Sequence, residues 1–298
     1  MDTIIQILAR ELGRSEAHVE NVVRLIDEGN TIPFISRYRK ELHGAMDDTA
    51  LRTLADRLQY LRNLDKRREE VKSAIEGQGK LTEELSAAID AAATLAEVED
   101  LYRPYRQKRR TRATVAREKG LEPLAELLFA PGRGRPPRPE EAAGAFVDPE
   151  KGVETAEDAL QGASDIIAER ISDDADIRKR LRELVWKKGY LVSAAAAKEP
   201  EDTVYRLYYA FRSPLNRVQG HQVLAINRGE REGVLKVSVE MDREAALIPV
   251  RRAVLNPGAP AMAFVRAAAE DAYDRLIFPS VEREMRSLLT EQADEGAI

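Results

Sequence analysis

Cysteine is absent from the 298 residues. No disulfide, thiolate zinc site or cysteine nucleophile can therefore be built from this chain, and the lack fits a reducing compartment. Aromatic residues make up only 5%, which argues against an all-β sandwich. No apolar run approaches the roughly 20 residues that span a bilayer. The opening Met1-Asp2-Thr3-Ile4-Ile5 has neither the basic nor the apolar region of a signal peptide. Together these features read as a soluble, cytoplasmic protein without a membrane partner.

Catalytic and cofactor motifs are missing as well. There is no Gly-x-x-x-x-Gly-Lys-Ser/Thr loop, no Gly-x-Gly-x-x-Gly after a strand and no Gly-x-Ser-x-Gly elbow. Histidine occurs three times, at His18, His43 and His221, far apart and never as a His-Glu-x-x-His pair. Each reads as a surface or half-buried side chain rather than a metal ligand. Asp47-Asp48 and Asp173-Asp174 are paired carboxylates, but both precede helices, where acidic groups favour the positive end of the helix dipole. The expectation is a protein with no catalytic residue, no metal and no cofactor, and not an enzyme.

What the chain has is charge. Asp, Glu, Lys and Arg make up 33% and hydrophobic residues 43%. That balance suits helices with one apolar stripe and a charged outer face. The net charge is −5, spread evenly over both halves, so any attraction for polyanions must be local.

The first 130 residues read as nearly continuous helix. Ile4, Ile5, Leu8 and Leu12 form a stripe ending near Gly13, and Ser15 caps a second helix that stops at Gly29. Thr31-Ile32-Pro33 restarts the chain, and the segment from Phe34 to Glu41 ends before Gly44. Two short helices and a tight turn resemble a helix-turn-helix, although ordinary helix-hairpin packing produces the same pattern more often. From Asp48 to Gly77, Leu51, Leu54, Leu58, Leu61, Leu64, Val71 and Ile75 keep helical spacing over about 43 Å. Helices are expected at 82–93, 95–102 and 114–129. The Pro-, Gly- and Arg-rich stretch 131–139 reads as a linker, dividing a helical domain at 1–130 from a helical central region at 140–298. In that second part, helices are expected from Thr155 to Ile171, from Asp174 to Lys188 and at 260–278, with Ser280 capping the last. Strands are expected at Tyr190–Ala194, Gln222–Asn227 and Val234–Val239. The last two would form a β-hairpin, near 222–240, around the turn 228–233. The fold class is mainly α: an elongated multi-helix array with a helix-turn-helix-like start and a small β-hairpin or sheet in its second half.

One segment departs from the even spread of charge. From Leu101 to Arg117 there are seven Lys or Arg and no Asp or Glu. A dense positive patch concentrates polyanions, and tyrosine faces offer stacking surfaces. Arg103, Arg106, Lys108, Arg109, Arg110 and Arg112 are thus candidate phosphate contacts. Tyr102 and Tyr105 are candidates for stacking or for packing. Charge alone is equally consistent with a solvated helix end folded back on Glu97, Glu99 and Asp100.

Four segments, in order, are those of a known family. Glu28-Gly29-Asn30-Thr31-Ile32-Pro33-Phe34-Ile35-Ser36-Arg37-Tyr38-Arg39-Lys40-Glu41 resembles the N-terminal signature of the bacterial Tex family of transcription accessory proteins. Glu99 to Thr111, Leu224 to Leu235 and Phe278 to Glu284 are similarly typical of it. The resemblance implies a helical N-terminal region with a helix-turn-helix-like part. It also implies a longer protein with a nuclease-like domain, helix-hairpin-helix elements and an RNA-binding S1 domain beyond Ile298, so that this chain looks like an N-terminal portion. The expected role is a scaffold giving auxiliary, sequence-independent contacts to RNA or DNA. The alternative is a protein-interaction scaffold docking RNA polymerase, the ribosome or the C-terminal domains of the same chain, without binding nucleic acid directly.

Overall fold

A computed structural model describes residues 1–130, 134 and 136–296 of the chain. It divides into two compact units, Met1–Tyr105 and Arg106–Ile298. The division thus falls ahead of the expected linker at 131–139, of which Pro131, Gly132, Arg133 and Arg135 lie outside the described residues.

The first unit is all helical: α1 (Ile4–Leu12), α2 (Glu16–Asp27), α3 (Ile32–Tyr38), α4 (Lys40–His43), α5 (Asp48–Gly77), α6 (Glu83–Ala91) and α7 (Leu95–Tyr102). The starts at Ser15, Thr31 and Asp47 are those the sequence marks. The side chains of Thr3, Ser15, Thr31, Asp47, Thr82 and Thr94 each accept a bond from an amide in the following turn. Gly29, at φ +89°, sits in the turn between α2 and α3. The segment after Pro33 is not one helix to Glu41, because it breaks at Arg39 (φ −129°, ψ 34°) and restarts as α4. All seven apolar residues read along α5 are buried, and Leu8, Val19, Val22, Ile35, Ile89 and Val98 belong to the same core.

The second unit begins with α8 (Arg112–Glu118) and α9 (Glu122–Leu128), which replace the single helix expected at 114–129. Gly120 at φ +76° makes the break. Then come α10 (Pro139–Ala143), α11 (Ala156–Ser172), α12 (Ala175–Lys188), β1 (Tyr190–Ala195), β2 (Ala210–Pro214), α13 (Gly220–Arg231), β3 (Leu235–Glu240), α14 (Arg243–Val254), α15 (Met262–Asp271) and α16 (Phe278–Gly296). A reciprocal capping box at Thr155 and Asp158 opens α11 as its sequence predicts. β1 is central in a three-stranded antiparallel sheet of order β2-β1-β3.

Two expectations fail here. The strand at Gln222–Asn227, and with it the hairpin near 222–240, is replaced by α13; only its second strand survives, as β3, paired to β1. Nor does Ser280 start a helix. A π-helical stretch at Ala272–Ile277 carries the chain from α15 straight into α16. Pro279 lacks the amide that an α-helix would use there, and a widened turn accommodates the loss. Ser280 is buried, and its hydroxyl accepts from Nη1 of Arg178 at 3.1 Å. Arg178, itself fully buried, also donates to the carbonyl and the hydroxyl of Ser172.

Candidate nucleic-acid interface

The basic run crosses from one unit to the other. Tyr102 ends α7, Arg103–Tyr105 forms a 3₁₀ turn, Gln107–Arg110 has no regular structure, and Thr111 caps α8. Both tyrosines are half-buried and pack on the core of the first unit. The Arg67 guanidinium lies 5.5 Å from the Tyr102 ring centre, held there by Glu99 at 2.5 Å. The Tyr105 carbonyl accepts from Gln78 Nε2 at 2.8 Å. These rings act as anchors first, and Tyr102 has a cation over it already. Arg103 is half-buried, whereas Arg106 is exposed.

The second half of the run is rooted on α11. Asp165, Glu169 and Asp173 are spaced four apart and so share one helix face. Lys108 forms an ion pair with Asp173 and lies 3.5 Å from Glu169. The Thr111 hydroxyl donates to Glu169 at 3.0 Å, and Arg117 Nη1 donates to its other oxygen at 2.9 Å. Burial pushes the Glu169 carboxyl up, but the Arg117 hydrogen bond, the Lys108 charge and the Thr111 bond outweigh it, holding the group below its ordinary value. Asp165 goes the other way. Burial raises it, and its hydrogen bond from Gln161 with the charges of Arg275 and Arg112 only partly compensates.

Lys108 thus spends its charge inside the unit, on acids of α11. Arg109 and Arg110 do not, and Arg112 reaches Asp165 only through its charge, with no hydrogen bond or ion pair to it. Arg109, Arg110 and Arg112 are all exposed. Arg110 meets Glu118 at 2.9 Å, but those side chains are 70% and 55% exposed, a pair worth little in water. Among the described residues Arg109 has neither a hydrogen bond nor an ion pair. Three outward cations therefore stand on a short segment whose conformation is fixed by Lys108 and by the Thr111 cap. Chemically, that arrangement suits contact with phosphate oxygens and carries no base-specific geometry.

The other candidates fall elsewhere. His18 is half-buried and His221 exposed, as expected, but His43 is buried, and its Nδ1 accepts from the Met46 amide at 2.9 Å. Asp47 and Asp174 cap helices. Asp173 instead follows the end of α11 and binds Lys108, a role that its place before α12 did not suggest. Among the described residues no group of three or more His, Asp or Glu is placed to hold a metal, and no helix is long and apolar enough to cross a membrane. Of the basic spot in the Pro-rich stretch, Arg133 and Arg135 lie outside the described residues. Arg138 is exposed, 3.9 Å from Glu141.

Residues 2–76 match the family model for the Tex-like protein N-terminal domain, and residues 136–298 match that for the Tex central region. The chain belongs to the Tex family. Among its relatives is YdcI of Bacillus subtilis (strain 168), described as uncharacterized, 45% identical over 298 residues, covering 98% of this chain and 41% of that protein. The transcriptional accessory protein Tex of Neisseria gonorrhoeae is 37% identical over 305 residues, covering 99% of this chain and 39% of its own. The human S1 RNA-binding domain-containing protein 1 is 31% identical over 312 residues, covering 99% and 31%. This Tex-family chain spans about two fifths or less of the length of these relatives.

Proposed function

We propose that this chain is the scaffold of a nucleic-acid-associated transcription accessory factor, working in the cytoplasm, and that Arg109, Arg110 and Arg112 give it auxiliary phosphate contacts. The observation that carries the reading is the outward placement of those three cations beside a lysine that is internally paired. The names of relatives, one a transcriptional accessory protein and one an S1 RNA-binding protein, support the same direction. The helices α1 to α4 are read as the helix-turn-helix-like part of the scaffold. No catalysis is assigned to these residues; a nuclease activity that stays with the protein through repeated purification would overturn that assignment.

Contacts of this kind carry affinity without sequence choice. On a protein of net charge −5 they should weaken steeply with salt. The test is fluorescence anisotropy with RNA and DNA oligonucleotides, single- and double-stranded, across a salt series. Replacing Arg109, Arg110 and Arg112 by Ala should reduce the slope of log K against log salt by about 2, at roughly 0.7–0.9 per phosphate contact. A slope unchanged in the triple variant sinks the role.

A second reading has its own observation. Tyr102 and Tyr105 pack on the core of the first unit, as a protein-docking scaffold would have them do. In that case the outward arginines meet acidic protein or ribosomal RNA, and the partner is RNA polymerase, the ribosome or further domains of the full-length protein. Capture of polymerase or ribosomes by this chain, without affinity for free oligonucleotides, would favour it.

A further inference from the structure

Helix α3 carries a feature of a different kind, independent of the basic run. Its inner face is apolar: Ile35 is fully buried and Ile32 packs on the same core. Its outer face carries two large rings beside Arg37 where water would normally demand polar groups. Phe34 is 41% exposed and Tyr38 is 65% exposed. Spaced four apart, the two rings stand side by side, centroids 5.2 Å apart and planes tilted by 41°. Neither ring belongs to the core of its unit. Single exposed aromatics are ordinary, whereas a preassembled pair on one short helix marks a contact surface.

The charges around the pair select the contact. Thr31 to Lys40 holds Arg37, Arg39 and Lys40 and no acid, and all three cations are exposed. Among the described residues Arg37 and Lys40 have no ion-pair partner. Arg39 has only Glu41, at 3.9 Å with both side chains in solvent, which leaves its charge available. Flat rings interleaved with free cations match a ligand that is flat and anionic by turns, which is a single strand with unstacked bases and a phosphate backbone. A duplex hides its base faces and offers no such match. The mounting is rigid: Thr31 caps α3 through the Phe34 amide at 3.3 Å, Pro33 fixes its first turn, and Asn30 Nδ2 donates to the Leu25 carbonyl at 2.9 Å.

We infer that Phe34 and Tyr38 form a base-stacking platform, flanked by Arg37, Arg39 and Lys40, for single-stranded nucleic acid. RNA and DNA share the chemistry, and the measurement separates them.

The test uses the whole chain and 12-mer strands carrying 2-aminopurine, whose fluorescence is quenched when it stacks on a ring. Single-stranded RNA, single-stranded DNA and a duplex are the three arms. Quenching is expected with one or both single strands and not with the duplex. Changing Phe34 and Tyr38 together to Ala should abolish the quenching and weaken single-strand binding about tenfold or more. The melting temperature should move little, since neither ring belongs to the core of its unit. Phe34→Trp with Tyr38→Trp should keep the quenching. Arg37, Arg39 and Lys40 changed to Ala should lower the salt slope by about 2. Quenching that survives the double Ala variant, or quenching by duplex equal to that by single strands, overturns the platform. So does a double Ala variant that binds strands normally but loses a protein partner. The Arg109, Arg110 and Arg112 variant separates the two readings: it should change the salt slope and leave the quenching intact. Loss in only one set of variants condemns only the other site.

Discussion

At the scale of single residues, the two buried carboxylates of α11 are tuned in opposite directions. Asp165 and Glu169 are one helical turn apart, and both are about nine-tenths buried. Glu169 has three donors around it, and its carboxyl sits below the ordinary range. Its stabilisation is therefore in force above the unfolded-state value and is lost as pH falls through the folded-state one. Asp165 has one hydrogen bond, from Gln161 at 3.2 Å, and its value is raised mainly by burial. The folded state is favoured while Asp165 stays protonated, and that advantage is lost as pH rises through the raised value. Glu169→Gln should therefore cost about 1–3 kcal/mol at pH 7, with the loss shrinking toward pH 3. Asp165→Asn should stabilise at pH 7, because the amide keeps the Gln161 bond without a buried charge, and its gain should also vanish in acid. Thermal melts from pH 3 to pH 8 check both, and variants that shift stability in the same direction would refute the tuning.

At the scale of elements, helix starts were legible because their chemistry is local. Ser15, Thr31, Asp47 and Thr155 each bind the amide three residues on, within the reach of any sequence reading. The acidic face of α11 was not legible in that way. Asp165 and Glu169 sit among Ile166, Ile167 and Ala168, and only their spacing from Asp173 hinted at a shared face toward a distant cationic run. The misread strand at 222–227 has a particular cause. Arg228-Gly229-Glu230-Arg231-Glu232-Gly233 has turn composition, but its two glycines do different jobs. Gly233, at φ +76°, ends α13 with Val234 donating to the Gly229 carbonyl at 2.9 Å. Gly229 lies inside the helix because β3 comes too close for a side chain. A Cβ there would stand 2.5 Å from Leu235 Cδ1 and 3.1 Å from Tyr205 Cδ1, both on buried residues. Alanine is the better helix former by about 1 kcal/mol, while overpacking costs about 1–3 kcal/mol. Gly229→Ala should thus destabilise on balance, whereas Gly77→Ala, with open space around it, should gain a few tenths of a kcal/mol. Urea midpoints of the two variants moving the same way would show that propensity, and not the approach of β3, decides at Gly229.

At the scale of the whole molecule, hydrophobic burial is partitioned. One buried cluster runs from Leu8 to Val98 and the other from Ala113 to Ala293, and no residue is common to both. The division at Tyr105 and Arg106 falls in the basic run itself, where Arg106 to Arg110 supply no residue to either buried cluster, the first being reached last by Tyr105 and the second first by Ala113. Sequence composition pointed instead to the proline-rich stretch, since prolines announce a break in the backbone but say nothing about where packing stops. Cooperative unfolding follows packing, so each unit should melt as its own transition. Leu64, nearly inaccessible in the first cluster, and Ile166, fully buried in the second, are matched probes. Truncation to Ala should cost about 2–5 kcal/mol at either site. Calorimetry of the intact chain should resolve two transitions, with Leu64→Ala lowering one and Ile166→Ala lowering the other. One peak that both substitutions displace equally would mean that the basic run joins a single cooperative core rather than two.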